Sequence, residues 1–209
     1  MIKLILTSDD FGLRKVYNEK IIEMLQLGYL TSVSVMVKRI SEEQISQVHT
    51  LKDIDKNQDI SIGLHLELSE SNYLNEIEEQ WSLFEVIFGF CPDYLDLHKN
   101  HSFKGDYNAL AKFCNLKDIA FRKYPQTSRY VKQPTCTITA TYLEIEEIKN
   151  RIDNLVDNNI CEIVFHIGSF DINSKSILNR ERELDIEKLK QICSYLKLKN
   201  IGWINYKSI

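Results

Sequence analysis

Short apolar runs alternate with amphipathic helical patterns along almost the whole of this 209-residue chain. The first such unit joins a buried strand at residues 2–8 to a helix over residues 15–27, in which Ile21, Ile22 and Leu25 share one face. Strands joined by helical crossovers pair in parallel, so the pattern predicts an α/β fold with a mostly parallel sheet, either open or closed into a barrel. Ligand sites in such folds lie at the carboxyl ends of the strands.

The same unit recurs to the end of the chain. Further strands are predicted at residues 30–37, 60–68, 94–98, 118–121, 161–167 and 201–205, and helices near residues 41, 75–88, 107–114, 145–155 and 189–196. Ser41 and Thr141 each precede Gln or Glu by three residues, which is the spacing of a helix capping box. Residues 122–139 are predicted to be mainly loop with a strand near Thr135, and residues 168–179 a polar loop. Without a repeat or a linker, we expect one domain over residues 1–209.

Composition excludes several classes of protein. With 44% hydrophobic and 27% charged residues, the chain can bury a large core and needs no disulfide framework. Its five cysteines have no CxxC spacing, which argues against a cysteine zinc site. The net charge of -4 gives no support for a nucleic-acid partner. No run approaches the roughly 20 apolar residues of a membrane helix or a secretory leader, so we expect a cytoplasmic protein without a membrane span.

Polar side chains that carry chemistry follow several of these strands. Asp9 and Asp10 end the first strand, His65 lies in the third, and a fourth strand ends in an Asp-Leu-His sequence whose histidine is His98. A late strand ends at His166. Since the carboxyl ends of parallel strands share one edge, we expect these groups to meet there. The fifth histidine, at position 49, falls within a predicted helix and is expected on the surface.

One carboxylate and two imidazoles with open positions can hold a divalent ion and leave room for water and substrate. Asp96 and His98 are two residues apart on a strand and face the same side, so Asp96 can accept the second N–H of a neighbouring imidazole. If the chain stays extended, Asp9 and Asp10 point in different directions. One carboxylate can then bind metal while the other takes a proton from water, and His166 can protonate a leaving amine.

Motifs of these residue types occur in one order along nearly the whole chain. The most specific is Leu6-Thr-Ser-Asp-Asp-Phe-Gly12, followed by Asn18 and by Gly28-Tyr-Leu-Thr-Ser-Val-Ser-Val-Met36. The later ones are Gly63–Leu66, Leu95–His98, Arg122 with Pro125, Glu162–Gly168 and Arg180–Leu184. In these motifs the chain resembles the YdjC/ChbG-like carbohydrate deacetylases, a family that acts on N-acetylated sugars.

The resemblance implies a distorted (β/α) barrel of the polysaccharide-deacetylase-like type and a metal-dependent hydrolase. Such an enzyme removes an N-acetyl group from a small carbohydrate, chitooligosaccharide-like or glycolipid-linked, by means of a metal-activated water. Carried over by motif, the catalytic residues are Asp9 as general base and His166 as acid. The cofactor is Mg²⁺ or Zn²⁺. The residues implied to hold the metal are Asp10, His65 and His98, and those implied to lie near the substrate are Arg122 and Arg180.

The chain also departs from the family pattern. Asn100 stands where the family often has a further histidine, Ile167 replaces a proline, and the segment between residues 104 and 141 is short. Two other functions therefore stay open: a hydrolase of another amide or ester, and an altered barrel that binds carbohydrate without turnover. Asp9 and His166 weigh against the binder, which needs neither. A homodimer is a further expectation from related proteins.

Overall fold

Eight strands form one parallel sheet in the computed structural model, which describes residues 1–69, 72–127 and 130–209. The strands are β1 (Lys3–Phe11), β2 (Ser32–Val35), β3 (Ser61–Leu66), β4 (Tyr94–Leu97), β5 (Ala120–Phe121), β6 (Cys136–Thr139), β7 (Ile160–Phe165) and β8 (Gly202–Ile204). Their order across the sheet is β5-β4-β3-β2-β1-β7-β6, and β8 pairs with β1. The carboxyl ends of all these strands therefore lie at one edge of the sheet.

The sheet curls around an interior that is partly polar. One side of β1 pairs with β7. On its other side, the first half of β1 pairs with β8 and the second half pairs with β2. β5 and β6 lie at opposite ends of the strand order, yet the Thr137 hydroxyl of β6 donates to the carbonyl oxygen of Lys123, just after β5, at 3.2 Å. The two ends of the sheet thus approach each other. The predicted distorted barrel with mostly parallel strands is confirmed.

Helices cover the outer face of the sheet. They are α1 (Lys15–Gln26), α2 (Ile45–Gln58), α3 (Tyr73–Phe88), α4 (Tyr107–Leu116), α5 (Ile145–Asp153) and α6 (Glu181–Leu198). Between helices and sheet lies the main apolar core, whose members include Leu6, Phe11, Val33, Leu64, Phe84, Leu95, Ile163 and Leu189. In the described ranges, no helix has the length and apolarity to cross a bilayer.

A smaller cluster packs elsewhere and includes two stacked tyrosine rings. The rings of Tyr94 and Tyr206 are 3.9 Å apart between centroids, and both side chains are fully buried. Gly63 of β3 leaves room for the Tyr94 ring, because a Cβ at this position would lie 2.3 Å from Cζ of Tyr94. The Ser32 hydroxyl donates to the phenolic oxygen of Tyr94 at 2.9 Å. The ring is therefore held from several sides.

The two predicted capping boxes have different outcomes. The box at Ser41 is confirmed, although the helix it opens is longer than predicted: a 3₁₀ turn at Glu42–Gln44 leads directly into α2. The box at Thr141 is wrong, because α5 begins after Glu144 and the Thr141 hydroxyl bonds to residues distant in sequence. A strand close to Thr135 is confirmed as β6, and the expected surface histidine at position 49 is exposed on α2.

Candidate metal centre and active site

The first strand ends in a bulge that sets the two adjacent aspartates apart. In the β1–β2 pairing, Ser8 is opposite Val33 and Phe11 opposite Val35, so β1 carries one extra residue there. Asp10 has a left-handed backbone with φ of 70°, a conformation that Asp tolerates better than most residues. The chain therefore does not stay extended at this point. The side chains of Asp9 and Asp10 point in different directions because of the bulge, and not because side chains alternate along a strand.

The turn after Asp10 is fixed by a glycine and an asparagine. Gly12 has φ of 98°, and a Cβ on it would lie 2.8 Å from the carbonyl oxygen of Met36. Its N–H donates to Oδ1 of Asn18 at 2.7 Å. The Asp-Asp-Phe-Gly sequence thus builds a specific backbone shape, with Asn18 of α1 holding it.

Three predicted metal ligands come together at the carboxyl edge of the sheet. Oδ1 of Asp10 lies 3.4 Å from Nε2 of His65 and 3.2 Å from Nδ1 of His98, and these two nitrogens are 3.2 Å apart. Asp10 and His65 are buried, and His98 is partly exposed. Within the described residues, Oδ1 of Asp10 makes no regular hydrogen bond although it is buried.

This donor set fits a divalent cation. Two imidazole nitrogens and a buried carboxylate oxygen converge within ligand distance of one another. Nδ1 of His65 lies 2.9 Å from Oδ1 of Asp96, so donation of its N–H to that carboxylate leaves Nε2 with a lone pair facing the centre. Burial lowers the pKa of His65, but Asp96 and Asp9 outweigh it and raise the pKa well above its ordinary value. The surroundings therefore favour positive charge at this point.

A second group, Asp9, His65 and Asp96, also lies within ligand distance. Arg122 already occupies it, since its guanidinium pairs with Asp9 at 2.8 Å and with Asp96 at 2.5 Å. A cation placed there would face a fixed positive charge. The group of Asp10 with His65 and His98 is therefore the better metal site.

Arg122, which the resemblance implied to lie near the substrate, pairs with carboxylates next to the metal-ligand cluster. It is buried and binds three carboxylates: Asp9 in a bidentate pair, Asp96, and Glu162 of β7 at 2.9 Å. Every guanidinium nitrogen is thereby engaged. Burial raises the pKa of Asp9, but Arg122 and His65 more than compensate, so the pKa of Asp9 is lowered and the group stays ionised. Arg122 thus orients Asp9 and does not offer a free donor to a sugar.

His166 follows β7 and is held by a hydroxyl and a carboxylate. Its Nδ1 lies 2.8 Å from Oγ1 of Thr141, which donates in turn to Oδ2 of Asp185 at 2.5 Å. The same carboxylate oxygen accepts the backbone N–H of His166 at 2.8 Å. Because the Thr141 hydroxyl has one proton and gives it to Asp185, it accepts from Nδ1–H of His166. This leaves Nε2 as the nitrogen that can exchange a proton with a substrate.

Of two arginines at the start of α6, one is exposed and the other is buried. Arg180 is exposed at the N-cap and makes no hydrogen bond or ion pair with the residues that the structure describes. Arg182 is fully buried, donates to Oδ2 of Asp10 at 2.5 Å and stacks on the ring of Tyr17 at 4.1 Å. Arg182, only two residues further along, therefore belongs to the buried cluster around Asp10, whereas Arg180 does not.

The sequence alone did not assign a role to Arg182, Asp185 or Glu162, although two of its features indicate that these residues are buried. Arg182 and Asp185 continue the spacing of the apolar stripe formed by Leu189, Ile192 and Leu196, so they lie on the buried face of α6. Glu162 is a charged residue inside an apolar strand, where a carboxylate needs a buried partner.

Solved structures share this fold along nearly the whole chain. A provisionally named cellobiose-phosphate cleavage protein from Enterococcus faecalis V583 aligns with a TM-score of 0.78 and 20% identity, over 99% of this chain and 98% of that chain. A CE4 esterase from Streptococcus mutans aligns with a TM-score of 0.67 and 14% identity, over 97% and 85% of the two chains. The fold is that of the polysaccharide-deacetylase-like proteins.

Comparisons of the amino-acid sequence agree with the comparisons of the fold. The model of the YdjC-like protein family matches residues 3–75. A carbohydrate deacetylase from Clostridium beijerinckii is 26% identical over 99% of this chain and 100% of its own length. A chitooligosaccharide deacetylase from Proteus mirabilis is 25% identical over 57% of this chain and 58% of its own length. These matches confirm the resemblance to YdjC-like carbohydrate deacetylases that the motifs indicated.

Proposed function

We propose that the protein is a metal-dependent carbohydrate deacetylase, which hydrolyses the N-acetyl amide of a small saccharide. The observation that carries this proposal is the cluster of Asp10, His65 and His98, together with an ionised Asp9 and a His166 whose Nδ1 is held by Thr141. The similarity to carbohydrate and chitooligosaccharide deacetylases supports the same activity. A protein that only bound sugar would need neither Asp9 nor His166.

Asp10, His65 and His98 would hold the metal ion. When bound, such an ion lowers the pKa of a coordinated water and polarises the acetyl carbonyl. Burial raises the pKa of Asp10, but the neighbouring rings of His65 and His98, together with the Arg182 guanidinium, lower it well below its ordinary value. The carboxylate is thus ionised and ready to ligate. A set of one carboxylate and two imidazoles suits Zn²⁺ or another first-row ion, whereas Mg²⁺ prefers more oxygen ligands.

Asp9 is the general base in this proposal. Its two oxygens accept from Arg122 at 2.8 Å, and each oxygen keeps a second lone pair that can take a proton from water. Arg122 fixes the direction of the carboxylate, since the two parallel hydrogen bonds leave it one orientation. Proton transfer by such a positioned group contributes about 10²–10⁴-fold to rate.

His166 is the general acid that protonates the departing amine. Its Nδ1–H is committed to Thr141, so Nε2 is the nitrogen that takes up a proton and then passes it to the amine. Burial lowers the pKa of His166, although Asp10 and Asp9 oppose this. A lowered pKa makes the imidazolium a stronger acid, which favours transfer to the amine nitrogen as the amide bond breaks. Arg180, exposed at the start of α6, is kept as a candidate sugar contact.

The test is acetate release from N-acetylglucosamine and short chitooligosaccharides, with protein stripped by a chelator and then reloaded with metal. We expect release that depends on metal and that falls by about 10²–10⁴-fold in Asp9→Asn. His166→Asn, which lies outside the Arg122 network, should lose activity without loss of stability. Asp157→Asn, an exposed aspartate, is the matched control. Stoichiometric metal binding without release from any acetylated sugar would overturn the proposal in favour of another amide, an ester or a binding role.

A further inference from the structure

Two of the five cysteines face each other across neighbouring strands. Cys136 begins β6 and Cys161 is the second residue of β7, and the parallel pairing of these strands sets the two residues opposite each other. Opposite residues in a sheet project from the same face, so both side chains lie on one side. That side is the one covered by helices, since Cys161 belongs to the main apolar core and Cys136 packs against it. Both residues are free thiols.

The spacing of the strands suits a disulfide between them. Neighbouring strands lie about 4.7–4.9 Å apart, and the Cα atoms of disulfide-bonded cysteines are about 4.4–6.8 Å apart. β7 is held on its other side, where it pairs with β1 along its whole length. β6 is the last strand in the order across the sheet, and its ladder is formed with β7. β6 can therefore shift toward β7 by the small distance that closing a bond requires.

The two thiols differ in exposure and in acidity. Cys136 is partly exposed, whereas Cys161 is fully buried. The neighbouring Cys161 thiol lowers the pKa of Cys136 although burial opposes it, while Cys136 and burial both raise the pKa of Cys161. The pKa values of the other three cysteines, Cys91, Cys114 and Cys193, are also raised. Because the thiolate is the form that reacts, Cys136 is the cysteine that an oxidant meets first.

We propose that Cys136 and Cys161 form a dithiol site that hydrogen peroxide oxidises to a disulfide. In the first step the Cys136 thiolate attacks one peroxide oxygen and the O–O bond breaks. Hydroxide leaves and takes up a proton to become water, and Cys136 becomes a sulfenic acid. In the second step the Cys161 sulfur attacks the Cys136 sulfur, the S–O bond breaks, and a second water leaves with the thiol proton. Each disulfide consumes one peroxide, which is reduced as the two sulfurs are oxidised.

The next residue on each strand connects the dithiol to the Arg122 network. Thr137 lies opposite Glu162, and its Oγ1 is 3.5 Å from Oε2 of Glu162. Glu162 in turn accepts from Arg122, which orients Asp9. Because a disulfide brings the two Cβ atoms to about 3.8 Å, closer than the spacing of the strands, it pulls β6 toward β7 and changes this contact. The oxidised protein therefore loses deacetylase activity, a consequence that rests on the function proposed above.

The test treats the metal-loaded protein with hydrogen peroxide and counts free thiols after unfolding. We expect the count to fall by two from the five free cysteines, and digestion without reductant to give a peptide pair joined through Cys136 and Cys161. Cys136→Ser should keep all its remaining thiols. Cys161→Ala should instead retain a sulfenic acid at position 136, which dimedone labels. Cys91→Ser removes an exposed cysteine and is the matched control, which should still lose two thiols.

Acetate release, measured before and after oxidation, tests the connection to the active site. Loss of release that dithiothreitol restores, and that Cys136→Ser does not show, would support this connection. A disulfide that forms without any change in release would overturn the connection alone. Survival of all thiols, or a bridge between other cysteines, would overturn the dithiol site. Absence of release from the untreated protein would overturn the deacetylase function and the connection with it, while peptide mapping would still decide the dithiol site.

Discussion

Arg182 donates to Oδ2 of Asp10 at 2.5 Å and leaves Oδ1 of the same carboxylate facing His65 and His98. The guanidinium comes from α6, is fully buried and stacks on Tyr17. One oxygen of Asp10 is thus occupied by a fixed cation while the other is available as a ligand. The helix after β7 therefore sets the orientation of a carboxylate at the end of β1.

Replacing Arg182 should weaken metal binding. In Arg182→Gln the Asp10 carboxylate loses its fixed partner and can rotate, and loss of such outer partners typically costs about 10–100-fold in metal affinity. Calorimetric titration of the chelator-treated protein with Zn²⁺ measures this directly. Arg151→Gln, which removes an exposed arginine from a helix, is the control and should leave the affinity unchanged. Equal affinity in Arg182→Gln and the wild-type protein would contradict the assignment.

The Thr141 hydroxyl should matter for the acid step and not for substrate binding. Thr141→Val removes the bridge between His166 and Asp185, so the imidazole loses its orientation and Asp185 loses a donor. We expect kcat to fall by roughly tenfold or more with little change in KM, and the pH dependence of kcat to shift. Thr141→Ser keeps the hydroxyl and should retain most activity. If valine and serine have the same effect, the hydroxyl has no such role.

Asp93 should make the protein less stable as pH rises from about 4 to about 6. Burial raises the pKa of Asp93 from 3.8 to about 6 although it accepts the Ile62 N–H at 2.7 Å. Between these values the folded state binds more protons than the unfolded state, so this group's contribution to stability falls as pH rises. The full effect is roughly 3 kcal/mol, at about 1.4 kcal/mol per pKa unit.

Asp93→Asn should remove this dependence. Urea unfolding at pH 4.5 and pH 7.5 gives the difference in stability between variant and wild-type protein at each pH, and the variant should gain relative stability at the higher pH. Asp118→Asn, at an exposed aspartate, should show the same difference at both pH values. An Asp93→Asn difference that is independent of pH would rule out the raised pKa.

Gly63→Ala should be strongly destabilising, and Gly202→Ala should not. A methyl group at position 63 would overlap the ring of Tyr94, which is stacked on Tyr206 and cannot move aside. Overpacking of this kind costs typically 1–3 kcal/mol, or about 2–4 °C in Tm per kcal/mol for a chain of this size. At Gly202 nothing lies within 4 Å of the added carbon. Thermal unfolding of both variants checks the contrast, which would be refuted by equal Tm values.

The residues at the strand ends could be predicted because topology places them together. Parallel strands end at one edge, so Asp10, His65 and His98 meet wherever the strands are correctly assigned. The hydroxyl of Thr141 could not be placed in the same way. Its partners, His166 and Asp185, are 25 and 44 residues away, while the sequence pattern suggested a partner three residues away.

The sequence pattern also could not predict where the ends of long side chains lie. Arg122 and Arg182 each have several rotatable bonds, so the position of the backbone does not decide whether the guanidinium reaches substrate or turns inward. The direction of each guanidinium is decided by the buried carboxylates that need a partner. Arg122 pairs with Asp9, Asp96 and Glu162, and Arg182 pairs with Asp10. Those contacts depend on the curl of the sheet, which local periodicity does not specify.

The way Arg122 holds Asp9 of β1, Asp96 of β4 and Glu162 of β7 has an evolutionary consequence. Loss of the arginine alone would leave three buried carboxylates facing one another, a change that costs several kcal/mol. Single substitutions at these four positions are therefore selected against, and paired or triple ones are tolerated. Among descendants of this chain, positions 122 and 162 should covary, and a lineage that loses Arg122 should already have lost acidic residues, including Asp9, the proposed general base.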